Sequence, residues 1–210
     1  MTHSLHRQGD PADLARDFVV FAIAAQGITS AGSASKFREF ACVVKKYDPV
    51  NWGDMRTGNI FAVEAGIITD STQDNSIFHA VFTDADTVAS VLRDLAEADL
   101  GLSIVVSGLF DTISTCCEKA GLSEHTVEYS LGIWGRTDLL PDPAVQKLST
   151  MCGHGMVSFN LIEHCAREIA AGRLTAEKAA GVLSRQCHCG IFNPVRAVDL
   201  LESHANRIKT

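Results

Sequence analysis

The sequence predicts an α/β fold, with α+β as the alternative: a mixed β-sheet covered by helices, and a helical C-terminal part that carries the Cys and His motifs. Three observations lead there. The middle of the chain runs β-β-α-β-α-β, an order that favours helices laid over a sheet. From Asp142 onward the pattern is helical throughout. A chain of 210 residues with 46% hydrophobic and 20% charged residues holds enough apolar surface for one sizeable core. The division is one unit over 1–210, with sub-lobes 1–140 (α/β) and 141–210 (helical).

The elements follow from local signals. Asp10-Pro11 reads as a helix start, with the helix expected to run to Gln26 and stop at Gly27. "SASKFREFACVVKKY" is amphipathic and gives a second helix to Tyr47, and "YDPVNWGDMRTGN" is a polar loop. "IFAVEAGIIT" and "SIFHAVFT" read as strands around the turn cluster "DSTQDN". "TDADTVASVLRDLAEAD" is a helix capped by Thr83 or Asp84, and "LSIVVSG" is a wholly apolar strand of the kind buried on both faces. "DTISTCCEKAG" is a short helix ending at Gly121, and "TVEYSLGIWG" is a strand. Asp142-Pro143 opens a helix that breaks at "CGHG". Further helices cover Met156 to Ala171 and "LTAEKAAGVLSRQ", and Asn193-Pro194 caps the last one.

Bulk properties narrow the function. A net charge of −7 gives no electrostatic support for a nucleic-acid or anionic-membrane partner. The N-terminal segment has no apolar core and no cleavage site of a signal peptide. The longest apolar run, Phe18 to Ala25, is far short of the roughly 20 residues of a spanning helix, so a cytoplasmic location is expected. Walker A, GxGxxG, HExxH, G-x-S-x-G and EF-hand patterns are all missing.

Seven cysteines stand out, six of them between Cys116 and Cys189. In a reducing compartment such clustering points to metal, cluster or redox chemistry rather than disulfides. Two short motifs rhyme. "CGHG" offers Cys152 and His154, and "CHCG" offers Cys187 and Cys189. Each places soft donors at i and i+2, follows them with a glycine that permits a sharp turn, and leads into a helix. A helix start facing the thiolates would favour anionic sulfur. Cys152, Cys187 and Cys189 make a three-thiolate set for a [4Fe–4S] cluster, with one iron left for His154, a further cysteine or a substrate. The same four residues would also close a Cys₃His zinc site. Cys116 or Cys117 is a candidate extra ligand, while Cys42 and Cys165 read as core cysteines. His154 and His188 are candidate proton donors or acceptors. Arg136, Arg196 and Arg56 are candidate clamps for a small anionic substrate.

Three readings compete. The first is a cytosolic iron–sulfur enzyme, a lyase or oxidoreductase acting on a small anionic molecule or passing electrons. The second is a non-enzymatic zinc or redox module with a Cys₃His site. The third is a metal-free binding protein with core cysteines and a pocket near Gly108 to Asp111. The first is preferred because two motifs of the same design would have no purpose in a plain core.

Overall fold

All six residues of β1 (Phe18–Ile23) are apolar, and the fold uses both of their faces. A computed structural model describes residues 4–209; the first three residues and the last of the 1–210 unit lie outside it. β1 is hydrogen-bonded on one side to β4 (Phe78–Phe82) and on the other to β5 (Ser103–Ser107), with Phe21 opposite His79 and Val105. β2 (Asn51–Asp54) and β3 (Gly58–Asn59) extend the sheet beyond β4, giving the order β3-β2-β4-β1-β5. Every pairing is antiparallel.

The period of two along each strand divides the interior. Phe18, Val20, Ala22, Phe78, Ala80 and Phe82 form one core with Trp52 and the apolar faces of α2 (Ser33–Lys45), α3 (Ala65–Asp70), α4 (Ala85–Ala98) and α5 (Phe110–Lys119). Val19, Phe21 and Val81 point the other way, into a core built with α6 (Pro143–Ser149), α7 (Phe159–Ala170), α8 (Ala176–Gln186) and α9 (Pro194–Lys209). Helices thus cover both sides of the sheet, as the α/β expectation requires. Each large side chain buried this way is worth about 1.5–3 kcal/mol. Among the described residues no helix is long and apolar enough to cross a membrane.

Several caps form as read: Asp84, Asp142 and Thr175 accept hydrogen bonds from backbone N–H groups of the first turns of α4, α6 and α8. α7 starts later than Met156, at Phe159, and is capped by Ser158, which accepts from the Leu161 N–H. Five expectations change. "LSIVVSG" gives β5 at the edge of the sheet, with Ile104, Val105 and Val106 half-buried rather than covered on both faces. The helix after Asp10 is only α1 (Pro11–Leu14), because the apolar run behind it satisfies its backbone in the sheet from both sides. "NWGDMRTGN" is the β2–β3 hairpin, not a loop. "IFAVEAGIIT" gives α3, whose Ile68 N–H bonds back to the Glu64 carbonyl; Ile68 is buried while Ile67 is half exposed. "TVEYSLGIWG" joins no strand: every residue from 121 to 140 is exposed, and Gly132 and Gly135 sit at positive φ.

The thiols divide too. Cys165 is buried on α7, as expected. Cys42 on α2 is exposed, contrary to its core reading, because it lies off the stripe formed by Phe37, Phe40, Ala41 and Val44. All six other cysteines are buried. A brief treatment of the native protein with iodoacetamide is expected to add one adduct per chain, at Cys42, and to label all seven cysteines only after denaturation. Peptide mass mapping reads the position.

Candidate functional site

The two motifs fold as the same turn. In Cys152 to Gly155 the Gly155 N–H donates to the Cys152 carbonyl at 3.0 Å, and in Cys187 to Gly190 the Gly190 N–H donates to the Cys187 carbonyl at 3.0 Å. The closing glycines have φ of 67° and 79°, a region that disfavours any side chain. The second turn buries both its i and i+2 side chains, Cys187 and Cys189; the first buries Cys152 and leaves His154 exposed, with Nδ1 reaching Cys189. Each also turns the N–H of the residue after its glycine toward sulfur: Met156 toward Cys152, and Ile191 toward Cys187 and Cys189.

The expected helix starts are not what faces the thiols. α7 begins at Phe159 and α9 at Pro194, each four residues past its glycine, while Cys187 ends α8. The electropositive groups nearest the sulfurs are therefore amides of the turns themselves.

Long-range contacts hold the turns side by side. Asn59, at the end of the β2–β3 hairpin, donates from Nδ2 to the Ser184 carbonyl at 3.1 Å and the Cys187 carbonyl at 2.7 Å. Asn51 donates to the Phe192 carbonyl at 2.9 Å. Gly190 lies flat on β2: a Cβ there would stand 2.7 Å from the Trp52 carbonyl carbon and from the Gly53 nitrogen. From the other side, the Arg7 guanidinium donates to the carbonyls of Met151 and Ile191, one beside each turn. Asp17, whose side chain is wholly buried, pairs with Arg7 and with Arg196, the latter at 2.9 Å. Asn193 donates to Asp17 at 3.1 Å and accepts from the Arg196 N–H at 3.0 Å, which opens α9. The sequence reading missed Arg7, Asp17, Asn51 and Asn59. Its one available signal was Asp17, an acid set directly against an apolar strand.

Four donors meet between the turns. Cys189 Sγ is 3.7 Å from His154 Nδ1 and 4.0 Å from Cys187 Sγ, and the Cys152 thiol hydrogen-bonds to Cys187. The three thiols are electrostatically linked in a row, Cys152 to Cys187 to Cys189, and in the Cys187–Cys189 contact either sulfur can donate. The bond to Cys187, with burial added, pushes Cys152 far above the usual thiol range. At Cys187 the bond from Cys152 pulls down, but the bond to Cys189 and burial outweigh it and push the thiol up to about 12. The hydrogen bond with Cys187 holds Cys189 below the usual thiol range. In this hydrogen-bonded arrangement, no group of three or more His, Cys, Asp and Glu side chains among the described residues is set to hold a metal ion.

The other expected site residues lie elsewhere. His188 is exposed, pointing out of its turn, with Nε2 3.3 Å from the Arg56 carbonyl oxygen. Cys116 and Cys117 belong to the core on the opposite side of the sheet, so neither reaches the cluster; Cys116 bonds instead to the Ala85 carbonyl at 3.3 Å. Arg196 is not an anion clamp but half of the buried pair with Asp17, and burial lowers its pKa. Arg136 is exposed and held by Asp138 at 2.7 Å. The Arg56 side chain is exposed, 3.5 Å from Gln73 Oε1.

A cleft of about 520 Å³ adjoins the first turn, lined by Cys152, Gly153, Gly155, Val157, Ser158 and Phe159 among others. A smaller cavity of about 260 Å³ touches Gly108, Leu109 and Phe110, near the place expected for a metal-free binding pocket. No protein-family model, curated protein or solved structure matches the chain.

Proposed function

We propose that the chain is a metal-binding protein whose centre is a single ion held by Cys152, His154, Cys187 and Cys189, zinc being the ion that suits three thiolates and an imidazole. The observation that carries this reading is the convergence of two turns of the same form, 35 residues apart, on one cluster of soft donors, its three thiols buried and His154 exposed at its edge. The separations support it. With metal–sulfur bonds of about 2.3 Å and a metal–nitrogen bond of about 2.0–2.1 Å, tetrahedral ligands stand roughly 3.5–3.8 Å apart; the pairs in hand are 3.7 and 4.0 Å apart. Metal entry would expel the thiol protons and draw the four donors inward. Amide N–H groups directed at the sulfurs favour the thiolate form.

An iron–sulfur enzyme is the second reading. It is kept because Cys152 borders a cleft large enough for a small substrate. It ranks lower because three thiolates on three irons of a cubane point to separate corners, whereas sulfurs in contact point to one ion.

Metal analysis after anaerobic purification tests both. The expected result is a colourless protein with about one zinc per chain, which Cys187→Ser reduces by roughly 100-fold or more in affinity. Brown protein with iron and acid-labile sulfide would select the second reading. A chain that takes up neither metal overturns both.

A further inference from the structure

We infer that two copies of this chain pair through the free edge of β5, antiparallel about Val105, with the exposed segment 127–134 of each packed beside the new strand pair. The interface uses none of the four proposed metal ligands.

A sheet edge presents a row of backbone donors and acceptors, and proteins guard it with charge, proline, a bulge or a very short strand. The two edges of this sheet differ. β3 is two residues long. β5 is five residues long and reads Ser-Ile-Val-Val-Ser, without a charge or a proline. Its register with β1 is unbroken from Ser103 to Ser107, so no bulge bends it away. Among the described residues, no backbone hydrogen bond joins 103–107 to anything except β1. Ile104 and Val106 pack on the core of one face and Val105 on that of the other, yet all three keep part of their surface in water. A strand laid along this edge would satisfy its backbone and cover those side chains.

A second β5 fits that place. Its polarity is the same read in either direction: a hydroxyl, three branched apolar residues, a hydroxyl. Antiparallel pairing about Val105 sets Ile104 against Val106 and Ser103 against Ser107, each pair on one face of the sheet. That is the self-complementary contact of a twofold dimer. Edge pairing alone covers little surface, and the segment 127–134 supplies the rest. It is moored at the end of β5, with the Tyr129 ring 5.4 Å from that of Phe110 and Ser130 Oγ 3.2 Å from His6 Nδ1. Leu131 and Trp134 are each 82% exposed, and Val127, Tyr129 and Ile133 are exposed with them. Together with Phe110 these side chains hold on the order of 700 Å² of accessible surface, against about 800 Å² that each partner gives to a standard interface. An apolar patch of that extent on a protein surface marks an interaction site.

The test uses the full chain. Light scattering coupled to size exclusion is expected to give twice the chain mass at micromolar concentration. In a Cys42→Ser background, which removes the exposed thiol, Val105→Cys sets two sulfurs at the twofold axis. Opposed Cα atoms about 4.5–5.5 Å apart there suit a disulfide. Diamide should convert this variant to a covalent dimer on a non-reducing gel and leave Cys42→Ser alone unlinked. The double variant Leu131→Glu with Trp134→Glu, both at exposed positions, should keep the wild-type Tm and weaken the dimer by at least about 30-fold. A wild-type chain that stays monomeric at every concentration overturns the inference. So does a dimer in which Val105→Cys gives no covalent product, because association then uses another face. A dimer unchanged by the two glutamates overturns it as well. Where Val105→Cys does not fold, the glutamate variant decides alone: a weakened dimer supports the inference and an unchanged one overturns it.

Discussion

Gly190→Ala is expected to destabilise the protein by about 3–5 kcal/mol, lowering Tm by roughly 6–20 °C for a chain of this size. Two effects add. At φ of 79° an alanine occupies a left-handed conformation that costs about 1–3 kcal/mol. Its Cβ would also stand 2.7 Å from two backbone atoms of β2, and backbone cannot rotate away as a side chain would. Relieving that overlap means lifting the Cys187 turn off the sheet, an overpacking cost of typically 1–3 kcal/mol. Gly155→Ala is the control. Its φ is similar, at 67°, but its added Cβ meets nothing within 4 Å, so only the conformational cost of about 1–2 kcal/mol remains. Thermal unfolding of the two variants side by side measures the difference. Equal losses would show that contact with β2 carries no weight. The metal site should follow the same order, with affinity falling more in Gly190→Ala, because the lifted turn carries two of the four ligands.

That contrast shows what a local reading of the sequence can and cannot reach. The donors of "CGHG" and "CHCG" were legible because a turn of four residues is a local object: two donors and a closing glycine determine its shape. The caps at Asp84, Asp142 and Thr175 were legible for the same reason. What presses the turns together was not, because Asn59 meets Cys187 across 128 positions and Asn51 meets Phe192 across 141. Such contacts leave no periodicity in either segment. The run "FVVFAIAA" failed differently. Apolar at every position, it carries neither a helical nor a strand period, and only the two neighbours it pairs with decide the matter. "TVEYSLGIWG" has the period of a strand, but no edge accepts it and its glycines turn away from extended geometry. The N-termini of α7 and α9 stand four residues past Gly155 and Gly190, a distance over which a helix dipole fades.

Asp17→Ala is expected to cost at least about 3–5 kcal/mol, the range for breaking a buried ion pair from one side. Here one carboxylate answers two guanidiniums, and the side chains of Arg7 and Arg196 are 6% and 3% exposed. Removing it leaves two buried cations facing each other with only the Asp13 carboxylate acting on Arg196, and takes an acceptor from Asn193. Arg7→Leu should be milder in stability, because Asp17 keeps Arg196 and Asn193, and the leucine replaces part of the buried stem. Its effect falls instead on the site: the carbonyls of Met151 and Ile191 lose the donor they share, and with it the one side chain that bonds beside both turns from that side among the described hydrogen bonds. A supporting contact of this kind is worth about 10–100-fold in metal affinity. Denaturant titration and zinc competition on the two variants separate the roles. Asp17→Ala should unfold at clearly lower denaturant, while Arg7→Leu should stay folded and bind weakly. Combining them gives a double-mutant cycle in which the losses should not add, since both act through one ion pair. Additive losses would mean that Arg7 and Asp17 support the fold independently, and that the bridge from β1 through Arg7 to the two turns carries no coupling.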